Sequence, residues 1–434
     1  MRGQKYYLRV DKNEIIGFPV PARWQIEHFV EARTDRSVQS IEHMVRDALT
    51  HPTGTGPLSD VISGARSISV IVDDATRPTP VRQILRELLF YIEAAGFRKD
   101  KITIVIALGT HKAMDENALR ERLGDDIATR LRIVQHNAWA TDLVPVKLAD
   151  EKNHLMINPA VAQADCTIGI SSILPHPMAG YGGGPKIVMP GVANYDFIRN
   201  HHMTHLAHPG STAGITRGNP FHEACMKAAR AVGLTFSLNC IYDQNGQIVQ
   251  IIGGSLESAY NKAVEACLEE LGHRFLSRVD VTIASAFPHS HGHQFFKGLS
   301  APDAVTKRSG AILLFVPMVT PLSKEFMESF RYIKEKSGNN PEVYIREHLS
   351  RGQAYLPDKS IDYNMAMSTP FLRPHIRVIL VSPLISEEEA RMMDFEYARS
   401  IEEGLTVLKA DYPTATVAIF PSGGLIVPIA VGKP

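Results

Sequence analysis

Residues 67–96 read SISVIVDDATRPTPVRQILRELLFYIEAAG, and this stretch contains one complete strand-to-helix unit. The β-branched run Ser67–Val72 predicts a buried strand. After Pro80, apolar residues recur at helical spacing as far as Gly96, with proline and glycine at the helix ends that usually carry them. The polar sequence between these two elements, Asp73–Pro80, therefore follows the carboxyl end of a strand.

The same rhythm recurs along the chain and predicts parallel α/β sheets. Strand-like runs alternate with helical patterns in two series: Ile102–Ala107, Leu131–Val134 and Cys166–Ile170 in the first, and Val279–Ala284, Ala311–Val316 and Val378–Val381 in the second. In such folds the functional loops lie at the carboxyl ends of the strands. We therefore expect two α/β domains with mostly parallel sheets and an active-site cleft between them.

The length of the chain, 434 residues, exceeds the usual size of one domain. The charged stretch Leu271–Arg278 precedes the second series of strands and is taken as the boundary. This gives an N-terminal domain over 1–272 and a C-terminal domain over 273–412. The last segment, 413–434, is compatible with either domain, so its return to the first is left open.

Composition excludes several classes of partner. Lys+Arg and Asp+Glu both count 46, so the zero net charge offers no attraction for nucleic acid or an anionic membrane. The four cysteines are far apart and form no CxxC pair, which favours free thiols in a reducing compartment. The charged N-terminal stretch predicts no signal peptide, and no apolar run reaches the roughly 18 residues of a membrane span. We expect a soluble, cytoplasmic protein.

Two of the strands lead directly into candidate functional residues. Asp73–Pro80 precedes a helix, whose free N–H groups suit a phosphate or a carboxylate, and Arg77 adds a fork for a carboxylate. The alternative is an ordinary capped helix start, with Asp74 or Thr76 as the cap. The next strand delivers His111 toward the same edge of the sheet, although a single histidine after a strand is more often structural.

A glycine-rich loop, HPMAGYGGGPK at 176–186, is the third candidate. Four glycines in five residues let the backbone approach a ligand closely. The loop ends at Lys186, a residue suited to a phosphate or to a covalent adduct with a carbonyl group. It is not a P-loop, because Pro185 separates Gly184 from Lys186, and it lacks the dinucleotide-binding spacing of glycines.

A histidine-rich segment, RNHHMTH at 199–205, is predicted to be helical. His201 and His205 are four residues apart and could share a metal ion. The HExxH zinc pattern is absent, because no glutamate lies between the histidines, and helical histidine pairs are more often surface or core residues.

A second histidine-rich segment, FPHSHGHQFFK at 287–297, follows the first strand of the second domain. In an extended segment, His289, His291 and His293 would point to one side and could bind a metal ion. A loop that faces solvent or substrate is the favoured interpretation.

Taken together and in this order, these stretches resemble the nickel-dependent lactate racemase (LarA-type) family. The resemblance is carried by five stretches: DDATRPTP, ALGTH, HPMAGYGGGPKIVMPG with the following Asn–His helix, GNPFHEACMKAARAVGLTFSLNCIYD, and the pair Gln294 and Lys297. It covers Asp73 to Lys297 with specific motifs and continues more vaguely to the C-terminus.

The resemblance implies a nickel-pincer nucleotide, a pyridinium mononucleotide whose C4 carbon and two sulfur atoms bind nickel. Lys186 matches the lysine that tethers this cofactor, which gives the first domain the role of cofactor binding. The family's histidine ligand lies sixteen residues later, at His202, and a shift of one residue would make it His201. Soft sulfur donors and an imidazole are reasonable ligands for nickel(II).

The resemblance also implies racemisation or epimerisation of a 2-hydroxy acid. His111 and His176 match the two acid/base histidines, which would serve the substrate hydroxyl on its two sides. Arg77 and Lys297 would hold the substrate carboxylate with help from Gln294, in a substrate-side second domain. The corner formed by Asp74, Ala75, Thr76 and Arg77 would also touch the cofactor near its ribose or phosphate.

Departures from the family fall on the substrate side. HSHGH stands where family members commonly have an acidic residue and an aromatic one, and the only tryptophans, Trp24 and Trp139, lie outside the second domain. We therefore expect a 2-hydroxy acid other than lactate. Cofactor-synthesis enzymes are expected partners in maturation. The competing interpretations are a zinc-dependent hydrolase and a protein that binds cofactor or ligand without turnover.

Overall fold

The computed structural model describes residues 6–31, 39–148, 154–373 and 375–429. The predictions about the N-terminal stretch and about 413–434 thus fall partly outside the described residues, at 1–5 and 430–434. The chain forms two compact units. The central unit comprises Arg36–Tyr242 and Ile248–Glu269, and the terminal unit comprises Met1–Asp35, Asp243–Gln247 and Glu270–Pro434.

The described residues contain strands from one end of the chain to the other. In chain order they are β1 (Tyr6–Arg9), β2 (Ile15–Phe18), β3 (Trp24–Phe29), β4 (Ile68–Asp73), β5 (Ile102–Ala107), β6 (Arg132–Gln135), β7 (Val144–Val146), β8 (Leu155–Ile157), β9 (Cys166–Ser172), β10 (Pro175–His176), β11 (Gly180–Tyr181), β12 (Phe236–Tyr242), β13 (Ile248–Gly254), β14 (Gly272–Arg274), β15 (Val279–Ser285), β16 (Thr306–Phe315), β17 (Arg377–Val381), β18 (Glu396–Tyr397), β19 (Ala415–Phe420) and β20 (Val427–Ile429).

Helices alternate with these strands in both units. They are α1 (Ile41–Thr50), α2 (Leu58–Val61), α3 (Val81–Ala94), α4 (Glu116–Leu123), α5 (Asp125–Arg130), α6 (Pro159–Ala162), α7 (Tyr195–His205), α8 (Pro220–Val232), α9 (Leu256–Leu271), α10 (Ser300–Val305), α11 (Lys324–Lys336), α12 (Pro341–Ser350), α13 (Ile361–Leu372), α14 (Glu387–Met392) and α15 (Ile401–Asp411). Within the described ranges, none of them combines the length and the apolar character that a membrane span needs.

The central unit is built on a six-stranded sheet in the order β13-β12-β9-β4-β5-β6. Its strands are parallel except β13, which pairs antiparallel with β12. Helix α3 has apolar residues three and four positions apart, so one face packs into the core beneath the sheet. A fully buried leucine such as Leu88 contributes about 2–5 kcal/mol relative to alanine.

The terminal unit contains a second six-stranded sheet in the order β18-β17-β16-β15-β19-β3, and every pair in it is parallel. Strand β3 joins the edge beside β19, where Trp24 is buried and its indole N–H donates to the Tyr412 carbonyl at 2.8 Å. The sequence-based boundary put residues 1–35 in the first domain, whereas the described part of this range, 6–31, belongs to the terminal unit. The partner strand lies almost 390 residues away in sequence, so local patterns could not reveal it.

Both sheets confirm the predicted α/β class with mostly parallel strands. In the central unit, β4, β5, β9 and β12 run parallel, so their carboxyl ends meet at one edge of the sheet. This edge brings together the segments after Asp73, Ala107 and Ser172. The four cysteines are buried and free, as their spacing indicated.

Candidate active site

A carboxylate and an imidazole meet where β4 and β5 end. Gly109 has φ +55°, and its N–H donates to the Gly191 carbonyl at 2.9 Å. The His111 N–H then closes a turn onto the Leu108 carbonyl at 2.8 Å. The turn brings the Nδ1 atom of His111 to 2.5 Å from the Oδ2 atom of Asp74. His111 is thus a partly buried imidazole with a carboxylate directly behind it.

The backbone after Asp74 folds around the same carboxylate. The Oδ1 atom of Asp74 accepts the Thr76 N–H at 2.8 Å and its hydroxyl at 2.5 Å, an Asx turn. The Arg77 guanidinium donates to the Thr76 hydroxyl oxygen at 2.9 Å. Burial by itself would raise the pKa of Asp74, but the hydrogen bond from His111 and the charges of His111 and Arg77 hold that pKa well below its usual range. Asp74 is therefore an ionised acceptor.

A buried polar network joins the ends of three strands. Asp73 forms an ion pair with Arg122 and accepts the Thr79 hydroxyl at 2.6 Å. That hydroxyl lies 2.5 Å from the Ser172 hydroxyl, which lies 2.6 Å from the Tyr242 hydroxyl. Burial raises the pKa of Asp73 to about 6, against the opposing charge of Arg122. The sequence indicated none of these partners, because they are up to 170 residues apart along the chain.

The glycines of the loop at 176–186 are packed against protein atoms. Three of the four loop glycines, all except Gly182, have a positive φ angle. A Cβ atom added to any of these three would lie within 2.5 Å of another protein atom. The atom would belong to the Ile215 carbonyl at Gly180, to the Ser172 carbonyl at Gly183 and to the Tyr260 ring at Gly184. We expected the glycines to admit a ligand. In the structure, glycine is required at these three positions because any side chain would collide with other parts of the central unit.

Lys186 lies just after these glycines, on a 3-10 turn over Gly184–Ile187. Its Nζ atom is 4.9 Å from the centroid of the Phe221 ring. Burial lowers the pKa of the Lys186 ammonium; the thiol of Cys225 opposes this effect and the charge of Arg77 adds to it. A desolvated amine loses its proton more readily, and the neutral amine is the nucleophile that covalent attachment requires.

The two adjacent histidines of α7 are both buried and differ in their hydrogen bonds. The Nδ1 atom of His202 lies 2.8 Å from the Ile198 carbonyl. The Nε2 atom of His201 lies 3.0 Å from the Phe221 carbonyl, and its Nδ1 atom faces that of His202 at 3.3 Å. Burial, with the neighbouring histidines, lowers the pKa of His201 far below its ordinary value. His201 is therefore tied to the protein through both nitrogens, whereas the hydrogen bond of His202 is one that metal-bound histidines typically make.

The ring of Phe221 lies at the centre of a cluster formed by Lys186, His176, His201 and His202. Its centroid is 4.3 Å from the ring of His201 and 4.9 Å from that of His202, both edge to face. The His176 ring is 6.2 Å away. Phe221 thus contacts or adjoins four of the functional candidates, yet no chemical pattern singled it out beyond its place in the motif GNPFHEAC.

His176 is held by a tight turn between the short strands β10 and β11. Its Nδ1 atom accepts the backbone N–H groups of Met178 and Ala179, at 3.3 and 3.1 Å. The fully buried amide of Asn219 donates to the Met178 carbonyl at 2.8 Å. It also donates to the Ile215 carbonyl and caps α8. The position of His176 therefore depends on Asn219, which the sequence analysis did not identify.

The substrate-side candidates belong to the terminal unit. His293, Gln294 and Lys297 lie on a 3-10 helix over Gly292–Leu299, whereas His289 and His291 precede it, so the three histidines do not share one extended segment. His291 lies 3.0 Å from the Thr320 hydroxyl, and His293 lies 3.2 Å from the Gln294 amide. Among the residues that the structure describes, no three histidine, cysteine, aspartate or glutamate side chains are grouped as a metal site.

Comparison with known proteins identifies relatives along nearly the whole chain. The model of the lactate racemase N-terminal domain matches residues 12–214. Lactate racemase from Thermoanaerobacterium thermosaccharolyticum is 28% identical over 377 residues, 86% of each chain. Lactate racemase from Lactiplantibacillus plantarum is 26% identical over 405 residues, 92% of this chain and 93% of the relative.

Solved structures agree with these matches. The lactate racemase apoprotein from T. thermosaccharolyticum superposes with a TM-score of 0.85 at 25% identity, over 98% of this chain and 100% of that one. A protein from Thermotoga maritima shares the fold, with a TM-score of 0.64 at 17% identity over 89% of this chain and 98% of that one. The specific motifs, the family model and the superposition agree, and all three support similarity of this chain to the lactate racemase (LarA-type) family.

Proposed function

We propose that this protein is an isomerase that racemises or epimerises a 2-hydroxy acid with a nickel-pincer nucleotide. The observation that carries the proposal is the cluster of side chains around Phe221, where a desolvated lysine and a histidine with a fixed hydrogen bond lie against one ring. Its relatives are named lactate racemase, which supports the reaction class.

The residues around Phe221 fit the proposed cofactor. Lys186 supplies the amine for the tether, because its lowered pKa favours the neutral form. His202 is the proposed nickel ligand: its Nδ1–H donates to a carbonyl, so Nε2 carries the lone pair. The alternative, His201, has its Nε2–H committed to the Phe221 carbonyl. When bound, the cofactor would supply a hydride acceptor and a soft-ligand nickel centre.

The Asp74–Arg77 corner is the proposed site for the ribose or phosphate of the cofactor. Ala75 and Thr76 are exposed there, and the Arg77 side chain is partly exposed. A guanidinium can hold a phosphate or a carboxylate through two parallel hydrogen bonds. Arg77 is therefore also the proposed ligand of the substrate carboxylate.

His111 and His176 are the proposed proton carriers at the substrate hydroxyl. An imidazole titrates near neutral pH and can exchange a proton with a hydroxyl group as a carbonyl forms or disappears. Asp74 would hold the His111 ring in place through Nδ1, because its carboxylate lies 2.5 Å from that atom. The reaction needs both histidines if the substrate hydroxyl occupies different places before and after inversion.

We propose a substrate other than lactate, one that is larger or more polar. Lys297 and Gln294 of the terminal unit would hold its carboxylate. His293 beside Gln294 supports a polar substrate side, since its ring lies 3.2 Å from that amide and stacks on Phe326.

Maturation by cofactor-synthesis enzymes and a cytoplasmic location belong to the same proposal. The second candidate function is that of a protein that retains the cofactor without turnover. The same contacts of Lys186 and His202 with Phe221 support it. A zinc-dependent hydrolase takes three protein ligands, and no geometry of the described residues supports one.

The test is co-production of the chain with the cofactor-synthesis enzymes, followed by mass spectrometry of the Lys186 peptide, metal analysis and assays on a panel of chiral 2-hydroxy acids. We expect a mass increase on Lys186, nickel in the protein and inversion of an acid other than lactate. Lys186→Arg is the matched control, because it keeps the charge but cannot form the tether. Zinc without an adduct would refute the cofactor, an adduct without inversion would favour the binding protein, and lactate as the best substrate would contradict the substrate proposal.

A further inference from the structure

The two histidines proposed to carry protons are held in opposite ways. The Nδ1 atom of His111 faces a carboxylate oxygen of Asp74 at 2.5 Å. The Nδ1 atom of His176 faces two backbone N–H groups, those of Met178 and Ala179. A carboxylate accepts hydrogen bonds and a backbone N–H only donates them. The same ring atom must therefore be a donor in one residue and an acceptor in the other.

In His111 the carboxylate fixes the proton on Nδ1. Asp74 accepts from Thr76 through Oδ1 and from the imidazole through Oδ2, so it acts as an ionised acceptor. A neutral imidazole carries one N–H and one lone pair. The lone pair of His111 is then on Nε2, the atom that can take up a proton.

In His176 the backbone fixes the lone pair on Nδ1, so the neutral ring carries its proton on Nε2. Placing a proton on Nδ1 as well would set it against two N–H donors and would break both hydrogen bonds. Losing these bonds is unfavourable, because a buried donor left without an acceptor costs more than the bond itself contributed. The Nε2 atom of His176 therefore acts as a donor.

We infer that the resting protein holds His111 and His176 in opposite neutral tautomers, so that Nε2 of His111 is a proton acceptor and Nε2 of His176 is a hydrogen-bond donor. The inference rests on the proposed function for the identity of the substrate and on geometry alone for the tautomers. The site is then asymmetric, although the reaction relates two mirror-image acids.

The asymmetry assigns the proton in the first half of the reaction. The substrate O–H bond breaks, its proton forms a bond to Nε2 of His111, and the C2 hydride leaves to a pyridinium-class acceptor, so a 2-keto acid remains. The other enantiomer, with its hydroxyl at His176, can give its proton to Nε2 of that ring only after the proton already on Nε2 has moved to Nδ1. That move would break the hydrogen bonds from Met178 and Ala179. For a pair of enantiomers the two values of kcat/KM are equal, so the difference appears in kcat and KM taken separately.

Asn219 is the positioning residue behind His176. Its amide N–H groups hold the carbonyls of Met178 and Ile215, both at 2.8 Å, and its Oδ1 atom accepts the His222 N–H. Asn219→Asp keeps that acceptor and the side-chain shape but removes both donors. The turn that presents the two N–H groups to His176 then loses its anchor.

The test is long-range 1H–15N NMR of the full chain labelled with 15N-histidine, without cofactor or substrate. His111→Gln and His176→Gln assign the signals. We expect a protonated Nδ1 in His111 and a protonated Nε2 in His176. The same tautomer in both rings would overturn the inference. Because the measurement needs no cofactor or turnover, failure of the proposed function and failure of this inference are distinguishable.

Two variants separate the two anchors. Asp74→Asn is expected to change the tautomer of His111 alone, and Asn219→Asp that of His176 alone. Asn158→Asp is the matched control, because Asn158 also caps a helix through its Oδ1 atom; it should change neither ring. A His176 signal that is identical in wild type and Asn219→Asp would exclude Asn219 as the positioning residue, provided the unfolding midpoint shows a folded variant.

Discussion

The two six-stranded sheets share an architecture and differ at the carboxyl ends of their strands. In the central unit these ends carry polar groups joined by hydrogen bonds: Asp73 is the last residue of β4, Ser172 of β9 and Tyr242 of β12. In the terminal unit the corresponding ends are largely apolar and buried: Ser285, Phe315, Val381 and Phe420. The fold is therefore the same scaffold twice, and the proposed proton and cofactor chemistry depends on the side chains placed at one edge.

The polar edge has an energetic cost that the apolar edge avoids. Burying a carboxylate is unfavourable unless it is paired and hydrogen-bonded. Asp73 has Arg122 and Thr79 as partners, and Asp74 has His111 and Thr76. The central unit keeps these groups at the very place where the terminal unit has phenylalanine and valine, which is expected of a functional site.

The largest expected effect is a difference in cofactor retention and turnover between variants of Lys186 in the central unit and Lys297 in the terminal unit. Lys186→Arg should abolish retention of the cofactor and all turnover, because a guanidinium cannot form the tether. Lys297→Arg in the terminal unit should retain the cofactor and raise KM, since it changes only how the substrate carboxylate is held. Mass spectrometry of each variant, with kcat and KM, measures the contrast. Cofactor covalently retained by Lys186→Arg would contradict the assignment.

The next effect tests the carboxylate-backed histidine. His111→Gln should lower kcat by about 10²–10⁴-fold, the usual range for a lost acid/base group. The cofactor content should stay at the wild-type level, because Lys186 and His202 are intact. The measurement is turnover per bound nickel. Turnover close to wild type would remove His111 from the mechanism.

Each unit contains one buried Arg–Asp ion pair that can be used to compare the stability of the two units. Arg122–Asp73 lies at the polar edge of the central unit, and Arg373–Asp303 is equally buried in the terminal unit. Arg122→Met and Arg373→Met should each lower the free energy of unfolding by about 3–5 kcal/mol, because each leaves a buried carboxylate unpaired. Only Arg122→Met should also lower turnover. Equal loss of turnover in both would show that the edge network has no specific role.

The smallest effect is a dependence of stability on pH in the central unit. Burial lowers the pKa of His136 to about 4, from 6.5. The folded form is therefore neutral while the unfolded form takes up a proton, so stability is present above pH 6.5 and is lost as pH falls from 6.5 toward 4. Between these two pH values, His136 should lower the free energy of unfolding by about 1.4 kcal/mol for each pH unit.

His136→Gln tests this contribution. Glutamine can keep the donor that His136 presents to the Ala193 carbonyl at 2.9 Å, but it does not titrate. Unfolding free energies measured from pH 7 to pH 4 should show a shallower decline in the variant than in the wild type. Parallel curves would mean that His136 does not contribute to acid sensitivity.

The sequence predicted the central strands closely, because each is a short β-branched run. Ile102–Ala107 has the predicted bounds, and β4 is displaced by one residue. The polar start of β16, at Thr306, was missed because its first residues, TKRSG, lack a strand pattern. Strand β3 was missed because its stability comes from pairing with β19 at the other end of the chain.

At the candidate site, the sequence indicated the residues that carry chemistry but not those that support them. Asp74 and His111 were expected at one edge, and they are hydrogen-bonded there. Arg122, Asn219 and Phe221 act through contacts between distant segments, and neither spacing nor residue type reveals such contacts. The roles of Lys186, His202, Gln294 and Lys297 stay predictions until the cofactor-loaded protein is assayed.

The packing of the glycine loop restricts where this protein can acquire a new substrate range. At Gly180, Gly183 and Gly184 any side chain would collide with protein atoms, and the left-handed backbone disfavours substitution as well. Natural or engineered diversification therefore has almost no accessible mutations at these three positions before Lys186. Variation in specificity has to arise in segments that tolerate substitution, while these three glycines stay the same from one variant to the next.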